Sequence, residues 1–216
     1  MFMNKNLTEV VFILDRSGSM SGLEKDTIGG FNSMLEKQKI EKGRVLISTV
    51  LFDNEMEILH DRILLENVKP MTDKDYFVCG STALLDAVGE TIKRIKNIQK
   101  YARDEDKPAR TLFIITTDGE ENSSIHYSYD DIKELVQRQK ELFDWEFIFT
   151  GANIDAISAA SKIGISADRA VNYRCDARGI QQNFDTYYDI MEMFSESEKL
   201  SEDCLSDISD DYESRR

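Results

Sequence analysis

The sequence predicts a three-layer α/β protein. A mostly parallel central sheet has helices on both faces and one antiparallel edge strand. Three observations carry this expectation. Apolar runs such as residues 10–14 and 111–116 show no polar–apolar alternation, as expected of strands buried on both faces. Amphipathic helical stretches separate these runs, so strand and helix alternate along the chain. A single neighbouring pair, residues 45–52 and 55–60, is joined closely enough across Asp53-Asn54 to form an antiparallel hairpin.

Taken in order, residues 1–7 read as a short leader and residues 8–14 as the first strand, followed by a polar loop over 15–22. Residues 23–39 form a helix in which Ile28, Phe31 and Leu35 recur one turn apart. Gly29 and Gly30 inside it cost helix propensity, which close packing against a neighbour would offset. The hairpin pair comes next, then an irregular stretch over 70–80. Residues 84–98 are helical, with Leu85, Val88, Ile92 and Ile95 at spacings of three and four. A charged turn over 100–110 leads to the central strand at 111–116. Ser128 is placed to cap a helix over 128–143, with Ile132, Leu135 and Phe143 inward. A strand at 145–150, a short helix at 154–163 stopped by Gly164, and a last strand at 169–173 follow. The final helix, 180–194, carries Ile180, Phe184, Tyr187, Tyr188, Met191 and Phe194 on one stripe; that stripe and Trp145 read as core. Two units result: one domain over residues 1–195, and an acidic tail over 196–216, disordered or loosely docked. The tail has eight acidic residues against three basic and few large apolar ones.

Composition narrows the function. The formal net charge is −14, from 41 acidic and 27 basic residues, which disfavours nucleic acid and anionic membrane surfaces as partners. Cys79, Cys175 and Cys204 are an odd, widely spaced set, unlike a disulfide framework or a zinc pattern. Reduced thiols in the cytoplasm fit them. No signal peptide or membrane-length apolar run is visible, which supports the same location.

The chemistry concentrates at Val10–Met20. The first strand ends in Asp15, and Ser17 and Ser19 follow with Gly18 between them. One carboxylate and two hydroxyls on a tight turn suit a small hard cation, which prefers oxygen ligands. The pattern Asp-x-Ser-x-Ser resembles the metal-ion-dependent adhesion site, or MIDAS, of von Willebrand factor A domains. Two further pieces of that site stand in order. Thr82 lies in Gly80-Ser81-Thr82-Ala83-Leu84-Leu85-Asp86, and Asp118 in Thr116-Thr117-Asp118-Gly119-Glu120, after an apolar strand. The resemblance covers residues 8–194 and points to a bacterial-type single-domain member.

This resemblance implies a Rossmann-like three-layer fold and a metal site formed by Asp15, Ser17, Ser19, Thr82 and Asp118. The implied ion is Mg²⁺, with Mn²⁺ or Ca²⁺ as alternatives. The carboxylates would act directly or through water. An ion held mainly by neutral oxygens keeps most of its charge, and its open position would attract an Asp or Glu from a partner protein. The tail offers a second source of such acids, through competition or self-association.

No catalytic machinery accompanies the motif. Gly18-Ser19-Met20-Ser21-Gly22 puts Met20 where a nucleophile elbow has serine, and position 17 has serine where a dehalogenase-type phosphohydrolase has its second aspartate. His60 and His126 form no dyad, and there is no nucleotide-binding Gly-Lys loop. A Mg²⁺-dependent phosphohydrolase and a scaffold with a vestigial site are the alternatives. Asp86 reads as a support for the Thr82 loop or an exposed helix-start acid, Glu120 and Glu121 as modulators of the site's charge or acids of a solvated loop, and Cys79 as an inert or redox-sensitive thiol near the metal loop.

Overall fold

The apolar run that ends in Asp15 is the middle of the molecule. In the computed structural model, which describes residues 4–40, 43–196 and 199–215, it forms β1 (Asn4–Asp15). Its side chains divide by parity. Val10, Phe12 and Leu14 enter one core and Val11 and Ile13 the other, all at most 2% exposed. Burial on both faces is the physical reason the run lacks alternation.

β1 pairs in parallel with β2 (Arg44–Phe52) on one side and β4 (Pro108–Thr117) on the other. β3 (Met56–Leu64) is antiparallel to β2, and β5 (Glu146–Gly151) and β6 (Ala170–Asn172) extend the parallel part. The order is β3-β2-β1-β4-β5-β6. The chain leaves β1 toward one edge and returns on its other side at β4, so the strand order reverses between these two. In open α/β sheets that reversal opens a crevice at the carboxyl ends of the strands.

Helices cover both faces. α1 (Glu24–Gln38), α5 (Ala177–Glu196) and α6 (Ser206–Ser214) bury side chains in the Phe12 core. α2 (Leu84–Tyr101), α3 (Tyr129–Phe143) and α4 (Ala156–Lys162) pack in the Ile13 core. The glycine pair in α1 resolves unequally. A Cβ on Gly30 would run into the Phe184 ring of α5, whereas Gly29 faces open space. Close approach of α1 to α5 therefore explains Gly30 and leaves Gly29 unexplained. No helix among the described residues is long and apolar enough to cross a membrane.

Several expectations are corrected. β1 starts at Asn4, because Leu7 and Thr8 are already buried in the sheet; residues 1–3 of the expected leader lie outside the described residues. β4 starts at Pro108 inside the expected charged turn, with proline at the strand's first position, where its missing N–H does no harm. β3 runs on to Leu64 through an irregularity near Arg62, whose φ of 52° bends the strand. Phe143 is 53% exposed instead of inward, since α3 ends there.

The largest difference lies in the acidic tail. Residues 197, 198 and 216 of it fall outside the described residues. The rest is ordered: Leu200, Leu205 and Ile208 are buried, and α6 lies beside α5. Arginines from the main body supply what the tail lacks. Arg169 donates to the carbonyls of Leu200 and Ser201 at 2.9 and 3.0 Å, and Arg178 pairs with Asp211 at 2.8 Å.

Candidate metal centre

Asp15 ends β1 at the carboxyl edge of the sheet. Its Oδ1 accepts the backbone N–H of Ser17 at 2.7 Å, and its Oδ2 accepts the hydroxyl of Thr117, the last residue of β4, at 2.6 Å. The two central strands are thus tied through one carboxylate. The hydroxyls of Ser17 and Ser19 lie 3.1 Å apart, and Ser19 donates to Asp118 Oδ1 at 2.6 Å.

Thr82 arrives on a separate loop, held by backbone bonds. Gly18 N–H donates to the Gly80 carbonyl at 3.1 Å and Cys79 N–H to the Arg16 carbonyl at 3.0 Å. Gly80 has φ of 68°, and a Cβ there would strike the Asn54 side chain, so glycine is required. The loop after Asp118 closes the ring: Asn122 accepts from Thr82 N–H at 2.9 Å and donates its own N–H to the Thr82 carbonyl at 3.0 Å. The hydroxyls of Ser19 and Thr82 both border Gly119, lying 3.4 and 3.6 Å from where its Cβ would sit. All five residues singled out in the sequence therefore meet at one rim. Asp15, Ser17, Thr82 and Asp118 are buried, and Ser19 opens to solvent.

Burial raises the pKa of both carboxyls above the ordinary value. For Asp15 the neighbouring Asp118 adds to the rise. Neither acid joins an ion pair among the described residues. The adjacent cation, Arg16, turns away to Asp53 at 3.0 Å and Glu57 at 2.7 Å, beneath the Phe77 ring. Two desolvated carboxylates with three hydroxyl oxygens and no cation form a donor set that fits a hard divalent ion. No group of three or more His, Cys, Asp or Glu placed to hold a metal occurs among the described residues, because three of the five candidate ligands are hydroxyls.

Several surrounding residues were not singled out for these roles. Cys175, on the loop before α5, donates its thiol to Asp118 Oδ2 at 3.6 Å; burial and the Asp118 charge push that thiol up to about 11. Cys79, the thiol expected near the metal loop, is exposed and contributes a backbone bond only. Tyr76 donates to the Asp15 carbonyl at 2.5 Å. Glu121 accepts from the N–H groups of Leu85, Ser123 and Ser124, capping α2 instead of charging the site. Asp86 accepts from the N–H groups of Ile125, His126 and Tyr127, holding that loop instead of the Thr82 loop. Thr117 could have been found beside Asp118; nothing in the spacing pointed to Cys175.

The sequence matches no protein-family model and no curated protein. Solved structures do match. The von Willebrand factor domain of the type V pili tip protein Mfa5 from Porphyromonas gingivalis aligns with TM-score 0.58 at 11% identity, over 90% of this chain and 98% of that one. Proximal thread matrix protein 1 from the mussel byssus, with a zinc-occupied MIDAS motif, gives 0.55 at 12% identity, over 85% of this chain and 45% of that one. A von Willebrand factor type A protein from Catenulispora acidiphila gives 0.53 at 15%, over 85% and 42%. The chain spans less than half the length of these last two. Strand order, the single antiparallel edge and these alignments agree: this chain has the von Willebrand factor A fold.

Proposed function

We propose that this chain is a metal-dependent protein-binding module, with no catalytic activity, that captures an Asp or Glu of a partner protein. Asp15, Ser17, Ser19, Thr82 and Asp118 would hold the ion, and Mg²⁺ is the favoured choice because every donor is oxygen. Bound there, the ion supplies a positive charge with a coordination place left for an outside carboxylate. One observation carries the reading. Three sequence-distant loops bring two desolvated carboxylates and three hydroxyls to one rim, with Ser19 open to solvent and no cation among the described residues paired with either acid. Exposed Phe77 and Ile125 on the bordering loops suit an acidic residue flanked by apolar ones.

The phosphohydrolase alternative is disfavoured by the same geometry. The Asp15 carboxylate contacts the Ser17 N–H and the Thr117 hydroxyl, and neither is a base that could activate water. His60 is bound to Thr49 and the Lys69 carbonyl, away from the site. Self-association through the tail remains part of the proposal. Asp211 is held by Arg178 and Arg215 of its own chain, so exposed Asp210 is the acid for that role. A reducing cytoplasm suits the free thiols of Cys79, Cys175 and Cys204.

Calorimetric titration of Mg²⁺ tests the site. Asp15→Ala is expected to abolish the binding isotherm while the fold survives; an isotherm unchanged from the parent rejects it. Pulldown with and without EDTA then tests the partner: a protein retained with Mg²⁺ and released by EDTA supports the reading, and identical retention in both opposes it.

A further inference from the structure

At the end of the sheet opposite the metal loops lies a cavity of about 500 Å³. The last turns of α2 and α3, the first residues of β4 and the turn from α3 to β5 line it. That volume falls in the range typical of small-molecule sites, roughly 300–1,000 Å³. Trp145, Leu142 and Phe143 supply an apolar wall, and the last two are 61% and 53% exposed.

Two polar features converge on the cavity. In a chain of net charge −14, Lys96, Lys100 and Lys107 all line it, with Asp144 as the one acid among the described lining residues. Lys107 is tied to Asp104 at 2.9 Å, which leaves Lys96 and Lys100 as the cations for an incoming group. Gln139 is the second feature. It lines the cavity, is 0% exposed, and neither its Nε2 nor its Oε1 has a hydrogen-bond partner among the described residues. A buried amide without partners costs stability that an apolar side chain of the same shape would not. Both atoms are closed to solvent in this conformation, so a ligand offering one donor beside one acceptor would satisfy them once the Gln139 side chain turns into the cavity.

We propose that this cavity binds a small organic anion: an acidic group on a ring-sized apolar body that also presents a hydrogen-bond donor beside an acceptor. Lys96 and Lys100 hold the charge, Trp145 and Leu142 take the ring, and Gln139, turned into the cavity, reads the donor–acceptor edge. The site is separate from the metal loops and does not rest on the metal reading.

The test uses the full chain and 8-anilinonaphthalene-1-sulfonate, which has an aromatic body, a sulfonate and an adjacent N–H. Trp145 is the single tryptophan and lines the cavity, so its emission reports binding, and the cavity variants assign that binding to this site. Saturable binding with quenching of Trp145 is expected. Reversing two nearby charges in Lys96→Glu/Lys100→Glu should weaken it about tenfold. Gln139→Leu should weaken it several-fold while making the cavity more apolar, opposite to the effect on a merely hydrophobic sink. Asp15→Ala and added Mg²⁺ should leave it unchanged. Three outcomes overturn the proposal: no quenching at saturation, equal affinity for the uncharged N-phenyl-1-naphthylamine, or unaltered binding in both cavity variants.

Discussion

Cys175 shows how one side chain tunes a site it does not enter. Asp118 presents Oδ1 to Ser19 and Oδ2 to the Cys175 thiol, so the thiol fixes which way the carboxylate faces. Partners that orient metal ligands typically matter by about 10–100-fold in affinity. Cys175→Ala is therefore expected to weaken Mg²⁺ binding about tenfold in calorimetry, and Cys175→Ser, which keeps a donor, to restore most of it. His60 gives a second prediction, in pH. Burial lowers its pKa from the ordinary 6.5, and its ring stacks on Phe31 and bonds Thr49 and the Lys69 carbonyl. As pH falls through 6.5, the unfolded chain takes up a proton that the folded ring refuses, so stability drops. His60→Gln should abolish that part of the slope, at most about 1.4 kcal/mol per pH unit, in melts between pH 7 and 5. The five candidate ligands were legible because each sits in a contiguous motif beside a strand end or helix start. Cys175 was not, because its contact with Asp118 joins chain segments 57 residues apart through tertiary packing alone.

Among the elements, α1 and α5 make the sharpest test of packing. Gly30→Ala forces a methyl into the Phe184 ring, which itself packs against Phe31 and Tyr187, and should cost about 1–3 kcal/mol in denaturant unfolding. Gly29→Ala, in open space on the same helix, should stabilise by about 0.5–1 kcal/mol. Equal effects at the two positions would contradict the observed helix contact. Strongly periodic elements were readable in the sequence to within a few residues. α2 shows its apolar spacing, and Ser128 forms a capping box with Asp131 at the start of α3. The far half of β3 was hidden because His60 to Arg62 are polar and the strand bends there. α6 was hidden for a different reason. Its apolar residues are sparse and its acids many, and Arg178, which pairs with its buried Asp211, comes from α5.

For the whole molecule, α6 changes what the C-terminal segment means. Arg215 reaches back to Asp176 at 2.6 Å, and the Arg174 guanidinium lies over the Tyr212 ring at 4.7 Å. These contacts grip the loop that carries Cys175, so the docked helix and the metal loops are joined through three consecutive residues. A chain ending at residue 196 loses the burial of Leu200, Leu205 and Ile208, on the order of 5 kcal/mol. It should melt earlier and bind Mg²⁺ more weakly, as read by calorimetry. Tighter binding after truncation would instead mark the segment as an inhibitor.

The bond from Thr117 to Asp15 has one more consequence. It staples the two innermost strands, each flanked by neighbours on both sides, at the place where an ion would sit. Fraying at the periphery cannot loosen that grip, since only rupture of the sheet's centre separates the two strands. An occupant would thus act as a keystone, resisting global collapse more than quieting any single loop.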